Sequence, residues 1–345
     1  IALSDAYFNN VEIYTNNGAS DFSIPNTCEV NDMAPVSFTS GDFNSDGNPD
    51  FVVGDIHNGS DSIAMIASIG QTAYLPSIKY NGGGISYKSV DFISGDFNND
   101  NKIDVAFTGG INPINSLTIK LGDGIGSFMT TNTYTVLNAD RAITKGDFNN
   151  DGKLDIAVAT DASGNAGSVT VFLGNGNGTF TSQTYSLNVG TTFDMISADL
   201  NNDGTTDIAV GVASGSTIKG IYKLISNGLG GFNGSFFTTS IYPNKITSGD
   251  FNSDGKIDLA AVSTSTSLAT ISIFLGLGSG SFGTPTTFST GGIITNGNYI
   301  SIVCTDFNND GKLDLVNSNW DSESISFHLG IGNGSFAAPI MLYSI

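Results

Sequence analysis

A short acidic phrase recurs six times along the chain, and no other feature restricts the fold as strongly. It reads GDFNSDGNPDFVVGD from Gly41, GDFNNDNKIDVAFTG from Gly95 and GDFNNDGKLDIAVAT from Gly146. It returns as ADLNNDGTTDIAVGV from Ala198, GDFNSDGKIDLAAVS from Gly249 and TDFNNDGKLDLVNSN from Thr305. Between copies lies a second phrase: SVTVFLGNGNGTF from Ser168, TISIFLGLGSGSF from Thr270, SISFHLGIGNGSF from Ser324. Val169, Val171 and Leu173 alternate with period two, which reads as a strand. The Gly-Asn-Gly run after it reads as a hairpin turn, because Gly and Asn accept positive φ. Each repeat therefore supplies four strands: A up to the first Asp, B after the loop, C in the second phrase and D beyond it.

Four antiparallel strands repeating every 50 residues or so make a propeller blade. The expected fold is all-β, one β-propeller over residues 1–345. An elongated array of linked β-modules is the weaker alternative. Residues 1–30 align with strands B, C and D of a repeat (IALSD, VEIYTNNG, DFSIPNTCEV), and residues 31–345 hold six full repeats. That pattern predicts seven blades of four antiparallel strands, one of them incomplete. It also predicts that an open blade edge near Ala2 and Leu3 takes up a further strand, from upstream residues or by self-association.

The acidic phrase sets oxygen ligands at loop positions 1, 3, 5 and 9, with a backbone carbonyl at 7. The first loop offers Asp42, Asn44, Asp46, Asn48 and Asp50, and the second Asp96, Asn98, Asp100, Lys102 and Asp104. The third offers Asp147, Asn149, Asp151, Lys153 and Asp155, and the fourth Asp199, Asn201, Asp203, Thr205 and Asp207. The fifth offers Asp250, Asn252, Asp254, Lys256 and Asp258, and the sixth Asp306, Asn308, Asp310, Lys312 and Asp314. The position-7 residue in each set contributes only its carbonyl. Hard oxygen donors in this number suit Ca²⁺ better than Mg²⁺, which demands tight octahedral geometry. About six calcium ions are expected. An EF-hand requires a bidentate Glu at position 12. Here that position holds Val53, Phe107, Val158, Val210, Ala261 and Asn317, so the loop joins strands rather than helices. A Gly at position 6 allows the sharp turn; Asn101, its substitute in the second loop, also visits the left-handed region readily.

Charge agrees with this assignment. The chain carries 32 acidic residues against 12 Lys and Arg, a net −20, and eighteen of the acids lie in the six loops. Six Ca²⁺ would leave −8. So acidic a chain is a poor partner for nucleic acid. No apolar run approaches the roughly 18 residues that span a membrane, so membrane insertion is not expected. Cys28 and Cys304 do not amount to a disulfide framework.

The Asp-x-Asn-x-Asp-Gly-x-x-Asp loops and the Gly-Asn-Gly-x-Phe turns resemble the FG-GAP or VCBS repeats of integrin α-subunit propellers and of many secreted bacterial and fungal proteins. The resemblance covers almost the whole chain. It implies structural calcium loops on one rim of the disc and an extracellular, secreted or cell-surface location. Relatives of that kind include adhesion receptors, propeller lectins, surface proteins and some polysaccharide-degrading enzymes. The expected function is a binding or adhesion module for glycan or extracellular protein. A structural subunit of a surface layer or fibre, and a polysaccharide-degrading enzyme, are the alternatives. With two His and no nucleophile motif, the chain offers little for catalysis.

Variable loops on one face of a repeat scaffold are the usual ligand contacts. The B–C loops vary here, and they carry His57 and Trp320, the one tryptophan. The D–A connections carry Tyr87, Arg141, Phe193, Tyr242 and Tyr299. Trp320, His57, Tyr87, Arg141 and Tyr299 are the candidate ligand contacts.

Overall fold

The computed structural model describes residues 2–5, 9–14, 26–30, 35–55, 62–70, 73–81, 91–111, 114–137, 142–162, 166–214, 217–264, 269–292 and 300–343. The chain is all-β, a β-propeller with six blades of four antiparallel strands and one incomplete blade. It divides into two compact units: residues 1–147, 151–163 and 168–186, and residues 148–150, 164–167 and 187–345.

The first unit begins with the incomplete blade, a three-stranded sheet of β1 (Ala2–Asp5), β2 (Asn10–Ile13) and β3 (Asn26–Glu29). Val11, Ile13, Cys28 and Val30 are its buried face. The sheet is one strand short of the four that each complete blade holds, so an incomplete blade is present as the sequence pattern predicts. The first full blade comprises β4 (Pro35–Gly41), β5 (Asp50–Asp55), β6 (Ser62–Ile66) and β7 (Ile78–Asn81). The second comprises β8 (Phe92–Gly95), β9 (Asp104–Ile111), β10 (Ile114–Gly122) and β11 (Phe128–Leu137). The third comprises β12 (Ala142–Gly146), β13 (Asp155–Ala162), β14 (Ala166–Gly174) and β15 (Phe180–Ser186).

The second unit holds the remaining three. They are β16 (Thr191–Ala198), β17 (Asp207–Ser214), β18 (Ile218–Ser226) and β19 (Phe232–Thr238); β20 (Lys245–Gly249), β21 (Asp258–Ser263), β22 (Thr270–Phe274) and β23 (Thr286–Ser289). The last is β24 (Ile302–Thr305), β25 (Asp314–Asn319), β26 (Ser324–His328) and β27 (Ile340–Tyr343).

Burial falls from the B strands outward. Every residue of β21 is buried, whereas β23 is almost wholly exposed. This explains why B strands such as Asp-Leu-Ala-Ala-Val-Ser lack a clean polar–apolar alternation: both of their faces meet a neighbouring sheet. In the first unit, Ala106, Leu117 and Ile119 of the second blade pack against Ile156, Val158 and Phe172 of the third. In the second unit, Ala260, Ile271 and Ile273 of the fifth blade pack against Leu315 of the sixth. Blades are also stapled by polar contacts. Asp194, buried on β16, accepts from Lys245 Nζ at 3.1 Å and from the Ile246 N–H at 2.8 Å on β20.

Two sequence readings are refined. The B and C strands of the second and third blades run further than their apolar cores suggested, so that Thr108–Ile111 and Asp161–Ala162 extend β9 and β13. In the last blade, Asn317 and Asn319 belong to β25 and are 1% exposed, although the sequence places them in a variable loop. Their side chains form a polar seam. Asn317 Nδ2 donates to Asn319 Oδ1 at 2.8 Å, and Asn319 Nδ2 donates to Ser326 Oγ at 2.7 Å. Satisfied in this way, the amides can be buried as a loop reading would not predict.

Candidate metal-binding loops

Each acidic phrase connects strand A to strand B, as its spacing predicts. The fifth loop, Asp250 to Asp258, illustrates the build. Asp250 Oδ1 accepts the Asp254 N–H at 3.0 Å, and its Oδ2 accepts the Gly255 N–H at 2.8 Å. Asn252 Oδ1 also accepts the Asp254 N–H, at 2.9 Å. Asp254 Oδ1 accepts the Lys256 N–H at 3.0 Å. Side chains at positions 1, 3 and 5 thus fold the backbone around themselves. The first, second, fourth and sixth loops repeat the position-1 and position-3 bonds with distances of 2.7 to 3.1 Å.

Two residues per loop take positive φ. Position 6 does so as expected, at +80° for Gly255 and +63° for Asn101. Position 4 does so too: Ser45, Asn99, Asn150, Asn202, Ser253 and Asn309 lie between +56° and +60°. Only Asn and Ser occupy that position in the six copies, and Asn is among the non-glycine residues that adopt positive φ most readily.

The ninth-position Asp behaves differently from the others. Asp50, Asp104, Asp155, Asp207 and Asp258 are fully buried, and Asp314 is 1% exposed. Asp258 Oδ2 accepts the Phe251 N–H at 2.9 Å, and Oδ1 accepts the Gly276 N–H at 2.7 Å from the end of strand C. The same pair of bonds recurs at Asp50, Asp104, Asp207 and Asp314. Burial pushes Asp50, Asp104, Asp207, Asp258 and Asp314 above their usual range, with Asp104 and Asp207 reaching about 6, and the nearby position-5 carboxylate adds to the rise. In contrast, Asp46 is held below the usual range by the Asn48 backbone N–H, and Asp254 by the Lys256 ammonium. Lys256 Nζ lies 2.8 Å from Asp254, and Lys153 Nζ 3.1 Å from Asp151.

The position-2 residue is an anchor that sequence reasoning missed. Phe43, Phe97, Phe148, Leu200 and Phe251 are at most 2% exposed. Each turns its N–H inward, and its carbonyl accepts from the next blade. The second-blade Gly126 donates to Phe43 at 3.1 Å, Gly178 to Phe97 at 3.1 Å, Gly280 to Leu200 at 3.1 Å and Gly334 to Phe251 at 2.9 Å. These donors are the last glycines of the Gly-x-Gly turns, at φ of +68° to +91°. The second phrase therefore does more than reverse the chain: it grips the acidic loop of the blade before it.

Among the described residues, no three carboxylate, His or Cys side chains close on one point as a metal site would require. The donor set still fits a hard divalent cation. Each loop brings three carboxylates, an amide oxygen and a carbonyl, and each carboxylate oxygen that accepts one N–H keeps a further lone pair. The crowding of charge at positions 1, 5 and 9 is what such a cation would relieve.

The candidate ligand residues are not brought together by anything described. Trp320 opens a 3-10 helix, Trp320–Ser322, at the B–C end of the last blade. His57, Tyr87, Arg141 and Tyr299 lie outside the described residues. Phe193 sits on β16, and Tyr242 lies under Lys219, whose Nζ is 4.2 Å from the ring centre. Cys28 and Cys304 are both free thiols. Among the described residues, no helix is long and apolar enough to cross a membrane.

Among curated proteins, none matches this sequence. Solved structures do match in fold. A BP39L lectin from Burkholderia pseudomallei shares 9% identity at a TM-score of 0.66, over 98% of this chain and 97% of that one. A putative 6-phosphogluconolactonase from Bacteroides uniformis shares 13% identity at a TM-score of 0.61, over 97% of this chain and 93% of that one. At such identities the likeness speaks for the fold alone. The model of the FG-GAP-like repeat matches three times, over residues 96–158, 147–210 and 250–317, more than half of the chain. The acidic loops, their buried ninth aspartates and the turns that grip them are thus the parts of a repeat already known elsewhere, and the chain belongs to the FG-GAP-like repeat family.

Proposed function

We propose that this protein is a calcium-stabilised extracellular binding module, in which the acidic loops hold about six Ca²⁺ ions and the opposite loops meet a glycan or protein ligand. The observation that carries the calcium reading is the hydrogen-bond network repeated from loop to loop. In each, the backbone N–H groups at positions 5 and 6 donate to the position-1 carboxylate, which folds the ligand-bearing run into a tight turn. Asp250, Asn252, Asp254, Asp258 and the Lys256 carbonyl would hold the ion in the fifth loop, and the matching residues in the others. Bound calcium supplies a charge that neutralises the crowded carboxylates. Calorimetric titration of the chelated protein should show about six equivalents; two or fewer would overturn the reading.

The ligand class rests on the family and on a lectin being among the proteins of the same fold. A glycan array read in calcium and in chelator tests it. Binding without turnover supports the module, whereas time-dependent release of product would point to a polysaccharide-degrading enzyme instead. One observation favours a second reading, self-association. The β1-β2-β3 sheet holds three strands where every other described sheet holds four, and a fourth strand from a second copy would complete it by strand addition. Light scattering that returns the monomer mass at every concentration would remove that reading.

A further inference from the structure

We infer that Asn202 is a positioning residue that couples calcium loading of the fourth loop to that of the fifth. The inference rests on the calcium reading above, and concerns how two of the sites communicate.

Asn202 is position 4 of the fourth loop, at φ +60°. It stands between Asn201 and Asp203, two of that loop's expected ligands. Its side chain does not serve its own loop. Asn202 Nδ2 donates to the Gly255 carbonyl at 3.0 Å, in the fifth loop of the next blade. Gly255 in turn stands between Asp254 and Lys256, two expected ligands of the fifth loop, and its own N–H is held by Asp250 Oδ2 at 2.8 Å. The bond thus ties the middle of one ligand run to the middle of the other. Both loops are exposed to solvent at these positions, so their order depends on local contacts rather than on burial.

The consequence follows from conformational entropy. An ion that fixes the fifth loop fixes the direction of the Gly255 carbonyl, and so restrains Asn202 before the fourth loop binds its own ion. The fourth loop then loses less freedom on binding. Linkage requires the reverse effect to be equal. A single hydrogen bond of this kind supplies a coupling of about two- to tenfold in affinity. Ser45, Asn99 and Asn150, at the same position of the first three loops, lie instead against the next blade's turn, at Gly124, Gly176 and Gly228.

The test is hydrogen exchange read by mass spectrometry on the whole chain across a calcium titration. Peptides over residues 199–207 and 250–258 report each loop separately. Asp254→Ala disables the fifth loop. It should raise the calcium midpoint of the fourth by about two- to tenfold. In an Asn202→Gly background, which removes the amide and suits positive φ, that shift should vanish. Asp203→Ala should raise the fifth loop's midpoint equally. Unchanged protection of β17 and β21 shows that the variants remain folded. A fourth-loop midpoint that ignores Asp254→Ala, or moves as much without the Asn202 amide, overturns the coupling. If neither loop responds to calcium, the calcium reading itself fails and the coupling with it.

Discussion

Replacing Asp258 by Ala removes a fully buried carboxylate whose two oxygens each accept a backbone N–H, from Phe251 at 2.9 Å and Gly276 at 2.7 Å. Hydrogen bonds to a charged acceptor contribute about 1.5–3 kcal/mol each, and a buried donor left alone keeps its desolvation penalty. Two such bonds give roughly 3–6 kcal/mol. Part of this is offset, because burial already disfavours the ionised form and pushes the carboxyl upward. The net cost should be about 3 kcal/mol. Urea unfolding followed by circular dichroism, in excess chelator, isolates this staple from any bound metal. Asp258→Asn should fall between, since an amide offers one acceptor and turns its NH₂ toward the other N–H. Asp254→Ala, at an exposed position of the same loop, should leave the chelated midpoint where it was. If Asp258→Ala and Asp254→Ala behave alike in chelator, the ninth aspartate is only a metal ligand, and the staple argument is wrong.

Three further outcomes are expected. With 10 mM calcium and loop affinities on the order of 10⁻⁴–10⁻³ M, each loaded loop adds roughly 1.4–2.7 kcal/mol to the native state, so chelation should lower the melting temperature clearly. An unchanged melting curve contradicts that. Phe251→Ala should cost about 3–5 kcal/mol, because the ring is 2% exposed and stacks edge-on with Phe336 at 5.7 Å; a midpoint shift under 1 kcal/mol would show that the anchor is dispensable. His328 is fully buried, donates from Nε2 to Asn317 Oδ1 at 2.9 Å, and leaves Nδ1 without a hydrogen-bond partner. Burial holds its imidazole down to about 4 from the usual 6.5. The unfolded chain therefore takes up the proton first, and stability falls as pH drops from 6.5 toward 4, by about 3 kcal/mol in all. Urea midpoints for the protein and for His328→Gln should diverge across that window and run parallel above it.

Much of this molecule is written locally. The spacing of Asp, Asn and Asp at positions 1, 3 and 5 fixes a turn whose side-chain-to-backbone bonds all lie within five residues, as in Asp250 to Gly255. Such a turn is legible because its partners are neighbours in the chain. The Gly-x-Gly turns are legible for the same reason, and the spacing between copies sets four strands to a blade. The alignment of residues 1–30 likewise made an incomplete blade legible.

The rest waited on which backbone each loop meets. Asp258 looks like its fellow carboxylates in the sequence, yet its second partner, Gly276, comes from strand C, and its burial follows from that contact. Phe251 is one apolar residue in an acidic run until Gly334 of the next blade is seen to hold its carbonyl. Asn317 and Asn319 read as loop residues because amides are usually solvated, and only their mutual bonds and those to Ser326 and His328 make burial affordable. What the sequence determined by itself was the repeat, the blade and the turn, each set by contacts a few residues long. What the tertiary structure decided was the role of each residue within the repeat, because a carboxylate or an amide takes its role from the donors that a distant strand presents to it.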